Sequence, residues 1–294
     1  MIRLVRIFLI VLCVIINTAC AGDLWAVKVT VVDEVGQPIE DADVLLTFLL
    51  SEGANQYAGV TSDKGVVKAM RRGTLQLIVE VTKEGFYDTF FKGTRGDQEV
   101  KVVLREKKNP IPMYAKKTEL RDFKGKFSGI WVGYDFIIGD YVSPYGKGQF
   151  RDFEFYYTYE RVDFFNNKYN LEIRFPNADD GLFSFEVEDY TSQFKSDYLA
   201  PEGGYKNELK FYEYRSRNDP IISNIDKNRS YYFRVRTQLD NEGKIFSALY
   251  GKLYGDFPDL HYYLNPNDND RNVEFDPRQN LFVNLPKEER QFEP

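Results

Sequence analysis

The chain has 294 residues, of which 45 are acidic and 39 are basic, for a formal net charge of −6. Its charges are interspersed and give no basic field, so we expect no nucleic-acid partner. With one histidine, His261, and two cysteines, Cys13 and Cys20, the chain has no multi-histidine metal site, and residues 22–294 have no thiol chemistry.

Residues 1–21 have the pattern of an export signal. Arg3 and Arg6 precede an unbroken apolar run of ten residues, 7–16, which is too short to span a bilayer as a mature helix. Cleavage after Ala21 would release a periplasmic protein. Cleavage before Cys20, in a sequence that resembles a bacterial lipobox, would leave that residue lipidated and make the anchor the only contact with the membrane. Both routes predict a protein of the bacterial cell envelope, either periplasmic or an outer-membrane lipoprotein.

Residues 22–106 show the alternation of short strands that bury one face. Apolar side chains repeat at period two in three stretches: 27–31, 75–81 and 100–104. Between the stretches, Gly36 and Gly65 allow positive φ, and Asp33 and Asp63 can accept hydrogen bonds from nearby backbone N–H groups. Seven short strands at this spacing predict a β-sandwich.

The same segment carries a spaced set of turn and core residues. They are Asp33-x-x-Gly36-x-Pro38-Ile39-x-x-Ala42-x-Val44, Thr61-x-Asp63-x-Gly65 and Lys83-x-Gly85-Phe86. Over residues 25–105 this set resembles the carboxypeptidase regulatory-like domain, a transthyretin-like sandwich of exported bacterial proteins. The resemblance implies a structural or spacer module. It brings no catalytic residue, because the zinc domain for which the family is named needs histidine ligands that this chain lacks.

A charged run and two prolines follow the first domain at 106–113 and predict a short, stiff connector, which we place at 107–118. The next domain, 119–294, has a different core, because only 8 of the 47 aromatic residues lie before Tyr114. Alternating aromatic and polar residues predict strands at 153–159 and 183–187, and residues 231–255 predict a hairpin with Gly243 in a left-handed conformation.

The predicted fold class is therefore all-β. It comprises an N-terminal seven-stranded Ig/transthyretin-like sandwich followed by a larger, aromatic-rich antiparallel β domain.

The region 131–148 is the first candidate site, because it combines glycines, aspartates and aromatic residues at strand ends and in a loop. A sugar-binding surface needs flat aromatic faces for C–H groups and carboxylates or amides for hydroxyls. Residues of these types are Trp131, Tyr134, Asp135, Asp140, Tyr141 and Tyr145. The alternative is that the rings pack inward and the glycines only form turns.

A second candidate lies at 265–276, a segment rich in oxygen ligands. Asn265, Asn267, Asn269 and Asp276 fall at offsets 1, 3, 5 and 12 of an EF-hand-like loop. Offset 6 is Asp270 instead of glycine, which argues against a true EF-hand. Two alternatives remain: a looser Ca²⁺ site, which would be the only cofactor, and a polar connection built from Asx turns.

Four arginines lie beside tyrosines in the second domain: Arg215, Arg217, Arg234 and Arg236. Such a face can bind carboxylate or sulfate groups. More often the arginines of a sheet pair with acids on neighbouring strands or stack on tyrosines, and Glu208 and Glu213 are available for this.

No catalytic motif accompanies these features. The sequence has no GxSxG, no Walker loop and no GxGxxG between a strand and a helix, although its many acids leave a hydrolase with paired carboxylates open. We expect a non-catalytic envelope protein that binds or spaces a cell-envelope component or polysaccharide. The alternative is a carbohydrate-binding or carbohydrate-cleaving protein that uses residues 131–148.

Overall fold

The computed structural model describes residues 24–73, 75–94, 99–120, 127–187, 191–226 and 228–294. Strands and loops make up these residues apart from one turn of 3-10 helix at Lys287–Glu289, so the all-β prediction is confirmed. No helix in the described ranges is both long enough and apolar enough to cross a membrane. Cys20 and the rest of the predicted export signal lie outside the described residues.

The chain divides into two compact units. The first comprises Met1–Lys83 and Thr89–Val103, and the second comprises Glu84–Asp88 and Leu104–Pro294. The second unit therefore includes residues 84–88, which the sequence assigns to the first domain.

The first unit has the seven predicted strands in two sheets. The strands are β1 (Leu24–Val32), β2 (Asp43–Leu49), β3 (Ala54–Val60), β4 (Val66–Arg72), β5 (Gln76–Thr82), β6 (Thr89–Thr94) and β7 (Glu99–Val103). One sheet has the order β4-β1-β7 and the other has the order β3-β2-β5-β6. Val27, Val29 and Val31 are buried, as their alternation predicts.

The spaced residues of this unit have structural roles. The Asp33 carboxylate accepts hydrogen bonds from the N–H groups of Val35 and Gln37 and closes the first turn. Thr61 is buried, and its hydroxyl donates to the carbonyl of Ile39 at 2.7 Å and accepts from the N–H of Ala42 at 2.9 Å. These bonds satisfy backbone groups at the sandwich edge and involve no ligand.

The second unit contains twelve strands among its described residues. They are β8 (Ile111–Glu119), β9 (Trp131–Asp135), β10 (Asp140–Tyr141), β11 (Phe153–Arg161), β12 (Asn167–Arg174), β13 (Gly181–Glu186), β14 (Glu208–Arg215), β15 (Ile222–Ser223), β16 (Arg229–Leu239), β17 (Ile245–Tyr254), β18 (Asp259–Leu264) and β19 (Phe275–Asn280). Sheet A has the order β10-β9-β11-β12-β14-β15, and sheet B has the order β13-β16-β17-β18-β8-β19.

The predicted connector at 107–118 is wrong for most of its length. Ile111–Glu119 forms β8, in sheet B between β18 and β19. The prolines at 110 and 112 are tolerated because they precede the regular ladder: β8 pairs with β18 only from Tyr114 onward. The extended conformation that prolines favour occurs in linkers and also in strands, so the prolines alone do not distinguish the two.

Aromatic side chains fill the space between sheets A and B. Phe136 of the β9–β10 turn stacks on Phe233 of β16 with ring centres 4.5 Å apart, and Tyr262 of β18 packs against Phe136 at 4.8 Å. Sheet B also buries part of its other face, where Tyr232 and Tyr250 form a second apolar cluster. Burial on both faces of sheet B accounts for the concentration of aromatic residues after Tyr114.

The predicted hairpin at 231–255 is confirmed. Strands β16 and β17 pair antiparallel, and Gly243 in their turn has φ of 79°. The ladder is interrupted by a bulge between Val235 and Gln238, where Arg236 has φ of 56°. This bulge turns the Arg236 side chain toward sheet A.

Candidate functional site

A cavity of about 640 Å³ lies at one end of the second unit, between sheets A and B. Its volume is in the range of small-molecule sites. Sheet A contributes residues of β11, β12 and β14, and sheet B contributes the turn between β17 and β18. The lining residues are Tyr157, Tyr159, Arg161, Phe164, Asn167, Tyr169, Glu213, Arg215, Ile225, Tyr254, Gly255, Asp256, Phe257, Pro258, Asp259 and His261.

One wall of the cavity is aromatic. The alternation of β11 places Tyr157 and Tyr159 on the same face as the core residues Phe153 and Phe155, but closer to the strand end. Tyr157 is buried and packs against Tyr169 of β12 with ring centres 5.5 Å apart. At the rim, Phe164 is 74% exposed. The aromatic wall is therefore buried at Tyr157 and exposed to solvent at Phe164.

Asp256 is the best-anchored polar group of the cavity. Its carboxylate accepts hydrogen bonds from the Tyr231 hydroxyl at 2.6 Å and from the backbone N–H of Phe257 at 3.0 Å, and it pairs with Arg229 at 3.2 Å. Burial raises the pKa of this carboxyl, while these donors favour its charged form. Because its carboxylate oxygens already accept hydrogen bonds from these protein groups, Asp256 stabilises the turn between β17 and β18.

His261 supplies a neutral polar group to the same cavity. It is half-buried in β18, and burial together with the nearby Lys117 lowers its pKa, against the opposing effect of Asp259. Neutral imidazole has one donor and one acceptor, a combination that suits a hydroxyl. On the opposite wall, Glu213 and Arg215 form an ion pair at 2.7 Å, so the cavity contains charges of both signs.

The six residues of the predicted sugar surface do not form one groove. Tyr134 is 1% exposed and packs among Phe136, Phe153 and Tyr262 in the main core. The sequence predicts that this ring faces a ligand, but the inner face of β9, which lies between β10 and β11, points into the core between sheets A and B. The prediction of a surface role for Tyr134 is therefore contradicted by its burial.

Asp135 is buried for a similar reason. Its two carboxylate oxygens accept hydrogen bonds from backbone N–H groups of the turns on either side, including those of Ile138, Gln149 and Phe150, and it pairs with Arg236 at 3.0 Å. Although burial opposes its charge, these N–H groups and Arg236 hold the pKa of Asp135 below its usual value. Asp135 is thus a structural carboxylate without capacity for a ligand.

The other four residues are dispersed. Tyr141 and Tyr145 are half-buried and pack edge-on against Phe127 at 4.8 and 5.2 Å. Asp140 accepts the N–H groups of Tyr141 and Lys147 and shapes the loop. Trp131 lies on the outer face of sheet A, where it contacts Tyr156. The alternative of inward packing and turn formation therefore describes most of the region.

Three of the four predicted calcium ligands, Asn265, Asn269 and Asp276, form hydrogen bonds with other groups of the protein through their side chains. The Asn265 side chain is fully buried; its oxygen accepts the N–H of Asn267, and its amide donates to the carbonyl of Asn272. The Asn269 amide donates to the carbonyl of Phe246, and the Asn267 side chain is exposed. Within the described residues no group of three or more His, Cys, Asp or Glu side chains could hold a metal ion. The segment matches the alternative of a connection built from Asx turns.

Asp276, the fourth predicted ligand, is bound by Arg278 at 3.0 Å and by the Gln279 amide at 2.8 Å. Arg278 lowers the pKa of Asp276 to about 2. We expect Asp276→Asn to reduce the free energy of unfolding at pH 7 by about 1 kcal/mol, a value kept low because Arg278 is exposed to solvent. The lowered pKa stabilises the fold above about pH 4, and this contribution is lost as the pH falls toward 2.

Urea unfolding at pH 7 and at pH 2.5 would measure this effect. The stability difference between wild type and Asp276→Asn should shrink at the lower pH, and Arg278→Ala should reproduce the loss at pH 7. An equal difference at both pH values would contradict the assigned ion pair.

Three of the four arginines, Arg215, Arg234 and Arg236, make structural contacts, whereas Arg217 is exposed and lies over the Phe165 ring at 4.8 Å. Arg236 binds Asp135 and Asp152, and Arg234 donates to the carbonyl of Asp179. Arg215 pairs with Glu213 in the cavity wall. The arginines are evident in the sequence, but the cavity is not, because Tyr157 and Tyr159 continue the apolar alternation of β11 and have the pattern of core residues. The signal that could have indicated an opening is the loss of that pattern at Arg161–Phe164.

No protein-family model matches the chain, and a search of curated proteins finds no match, so the resemblance to the carboxypeptidase regulatory-like domain stays a prediction. Among solved structures, the chain is similar to a DUF3823 family protein from Parabacteroides merdae ATCC 43184, with 10% identity, 82% of this chain and 98% of that chain covered, and a TM-score of 0.23. It is also similar to a candidate carbohydrate binding protein from Bacteroides uniformis ATCC 8492, with 12% identity, coverage of 83% and 98%, and a TM-score of 0.19. TM-scores this low support no functional assignment.

Proposed function

We propose that the second unit is a binding module that takes a hydroxylated ligand of the carbohydrate class in the cavity between sheets A and B. The observation that carries this proposal is the cavity wall: next to the buried Tyr157, Tyr159 is partly exposed and Phe164 is exposed at the rim. Rings of this kind pack against the C–H faces of a sugar. His261 and the Glu213–Arg215 pair offer donors and acceptors for its hydroxyl groups.

The ion pairs of Asp256 and Glu213 in the cavity favour a protein that binds the ligand without cleaving it. Asp256 is held by Arg229 and Tyr231, and Glu213 is held by Arg215. A glycoside hydrolase needs one carboxyl group that can give a proton and one that can attack or activate water. Carboxylates held in ion pairs by arginine in this way are poorly suited to either task.

The proposal includes a location in the bacterial cell envelope. Its support is the N-terminal sequence, in which Arg3 and Arg6 precede an apolar run that ends near Cys20. The first unit, with its turn-rich sandwich, would then act as a spacer, in keeping with the regulatory-like domain that its residues resemble.

Substitutions in the aromatic wall test the ligand class. We expect Tyr159→Ala and Phe164→Ala each to weaken saccharide binding by about 5- to 30-fold, because a lost ring contact costs about 1–2 kcal/mol. Binding of cellobiose, xylobiose, maltose and mannobiose would be measured by isothermal titration calorimetry.

Phe246→Ala is the matched control, because Phe246 is an equally exposed ring, at 68%, outside the cavity. Its affinity should equal that of the wild type. If none of the four disaccharides binds at concentrations up to about 10 mM, the carbohydrate assignment is overturned. If Phe246→Ala loses as much affinity as the cavity variants, the cavity is not the binding site.

A further inference from the structure

The outer face of sheet A carries four aromatic side chains on the side opposite the cavity. They are Trp131 of β9, Tyr156 of β11, and Tyr212 and Tyr214 of β14, and we call this set the outer platform. Side chains alternate along a strand, so Tyr156 points away from the core that its neighbours Phe155 and Tyr157 enter. All four rings are half-buried, which leaves part of each accessible. The solvated face of an antiparallel sheet is ordinarily polar.

The rings form two pairs. Trp131 and Tyr156 are direct cross-strand partners with ring centres 5.5 Å apart. Tyr212 and Tyr214 stack on each other at 5.3 Å with an interplanar angle of 22°. Strand β12 separates β11 from β14, so these two strands are about 10 Å apart, from two strand spacings of about 4.8 Å. The ring pairs are also displaced along the strands, because Tyr156 is in register with Lys210 through Glu172, and Tyr212 lies two residues beyond Lys210.

Polar side chains occupy the strip between the two pairs. The Asn170 amide donates to the Thr158 hydroxyl at 3.3 Å, and the Tyr214 hydroxyl donates to the Asn170 side-chain oxygen at 3.0 Å. Thr158 and Asn170 are half-buried. The strip therefore offers neutral hydrogen-bonding groups between two sets of rings.

Most charges on this face are in ion pairs, and Lys168 lies over the Tyr214 ring at 5.3 Å. Glu172 pairs with Lys210 at 3.0 Å, and Glu154 pairs with Arg174 at 2.7 Å. Arg174 also covers one side of the Trp131 ring at 3.8 Å, which fixes the ring and leaves its remaining surface beside Tyr156. A face whose charges are of both signs and mostly paired has little field to attract a polyanion, whereas rings and amides suit an uncharged polyol.

We propose that the outer platform is a binding site for a single chain of a neutral polysaccharide, which crosses the strands from the Trp131–Tyr156 pair to the Tyr212–Tyr214 pair. Adjacent strands rotate by about 20–25°, so the two ring pairs are turned by about 40–50° relative to each other. A soluble chain can follow this twist, while a flat crystalline surface contacts one pair only. The site is separate from the cavity because it uses the opposite face of β11 and β14.

Tryptophan fluorescence gives a direct test. The chain has two tryptophans, and Trp25 is buried in the first unit, so Trp25→Phe makes Trp131 the only tryptophan reporter. Cellohexaose, xylohexaose, maltohexaose and mannohexaose would be titrated into this variant. We expect at least one of them to shift the Trp131 emission saturably, and polygalacturonate to cause no shift.

Two further variants locate the signal. Tyr212→Ala in the same background should lower the affinity at least fivefold, because it removes a ring of the distant pair. Tyr159→Ala, which alters the cavity, should leave the Trp131 response unchanged. Affinity electrophoresis of the full chain in gels that contain xylan or glucomannan compares wild type with Tyr212→Ala without any change at Trp25.

The proposal is overturned if none of the four hexasaccharides shifts Trp131 emission, or if Tyr212→Ala binds as well as its parent. It is also overturned if Tyr159→Ala abolishes the response, since the signal would then come from the cavity. A stronger response to polygalacturonate than to the neutral chains would assign the face to an acidic ligand instead.

Discussion

Replacement of Arg236 by alanine is expected to lower the free energy of unfolding of the second unit by about 3–5 kcal/mol. The Arg236 guanidinium lies 3.0 Å from the Asp135 carboxylate and 2.8 Å from the Asp152 carboxylate, and both carboxylates are almost completely buried. The substitution leaves these two buried carboxylates without their shared cation. Arg236 also has a left-handed φ of 56°, a conformation that an arginine adopts at a cost, so the carboxylates must stabilise it in place.

The pH dependence identifies the cause. Burial raises the pKa of Asp152 even in the wild type, against the effect of Arg236. Without Arg236, the pKa of at least one of the two carboxyls should rise further. A carboxyl whose pKa is higher in the folded state than in the unfolded state favours folding more as the pH falls toward its unfolded value of about 3.9. The deficit of Arg236→Ala relative to wild type should therefore shrink between pH 7 and pH 5.

Chemical denaturation followed by tyrosine fluorescence would measure both effects. Arg217→Ala is the matched control, because the Arg217 side chain is exposed and its guanidinium lies over the Phe165 ring at 4.8 Å instead of between buried carboxylates. It should cost about 0.5 kcal/mol or less. A deficit below about 1 kcal/mol for Arg236→Ala would show that the buried carboxylates do not depend on this arginine.

Replacement of Lys252 by methionine is expected to have the opposite sign and to stabilise the second unit by about 2 kcal/mol at pH 7. Lys252 is completely buried in β17. Its amine lies 3.0 Å from the Tyr254 hydroxyl and 3.4 Å from the Ser196 hydroxyl, and 4.3 Å from the centre of the Phe194 ring. Hydroxyls and rings compensate only part of the cost of burying an ammonium group, and methionine fills a similar volume without that cost.

The lowered pKa of Lys252 also predicts how the stability difference depends on pH. Burial lowers it well below the ordinary value, Arg105 adds to the shift, and Glu274 opposes it. Between the folded pKa and about 10.4, the unfolded chain holds a proton on this lysine that the folded chain does not, so wild-type stability rises with pH. Lys252→Met lacks this rise, and its advantage over wild type should shrink as the pH goes from 7 to 10.

Lys116→Met is the control for charge removal, because the largely buried amine of Lys116 is paired with a carboxylate. Its amine donates to the carbonyl of Gly139 at 2.7 Å and lies 2.8 Å from the Glu289 carboxylate. This variant should be less stable than wild type, since it leaves both partners without their donor. Destabilisation by Lys252→Met to the same degree would contradict the expected burial penalty.

Many of the strands and turns depend on residues that are close in sequence, so they were predictable from the sequence. Alternation at residues 27–31 and 153–159 predicted strands correctly, since the period of a strand is fixed by backbone geometry. The turn at Gly243 and the turn that Asp33 closes were predictable because positive φ and short-range hydrogen bonds depend on neighbouring residues only. Prolines at 110 and 112 misled for the same reason: the extended backbone that they favour is shared by linkers and strands.

The sites could not be predicted in this way. Whether Tyr134 is core and Tyr159 lines a cavity depends on what lies on the facing sheet, and both belong to similar alternating patterns. Asp135 and Arg236 are 101 residues apart in sequence and meet only because a bulge in β16 turns Arg236 toward sheet A. Likewise, Trp131 became part of the outer platform through its cross-strand partner Tyr156, which lies outside the predicted region.

The amino-acid sequence alone was enough to predict that the described residues are all-β and that an aromatic-rich domain follows a turn-rich sandwich, and it shows that residues 22–294 contain no cysteine and a single histidine. These properties follow from composition and from the two-residue period of strands. Only the tertiary structure decided which rings are core, which line the cavity and which face solvent. The physical reason is that a strand's period fixes two faces without specifying what each will meet, and that choice is made by the pairing of strands far apart in sequence.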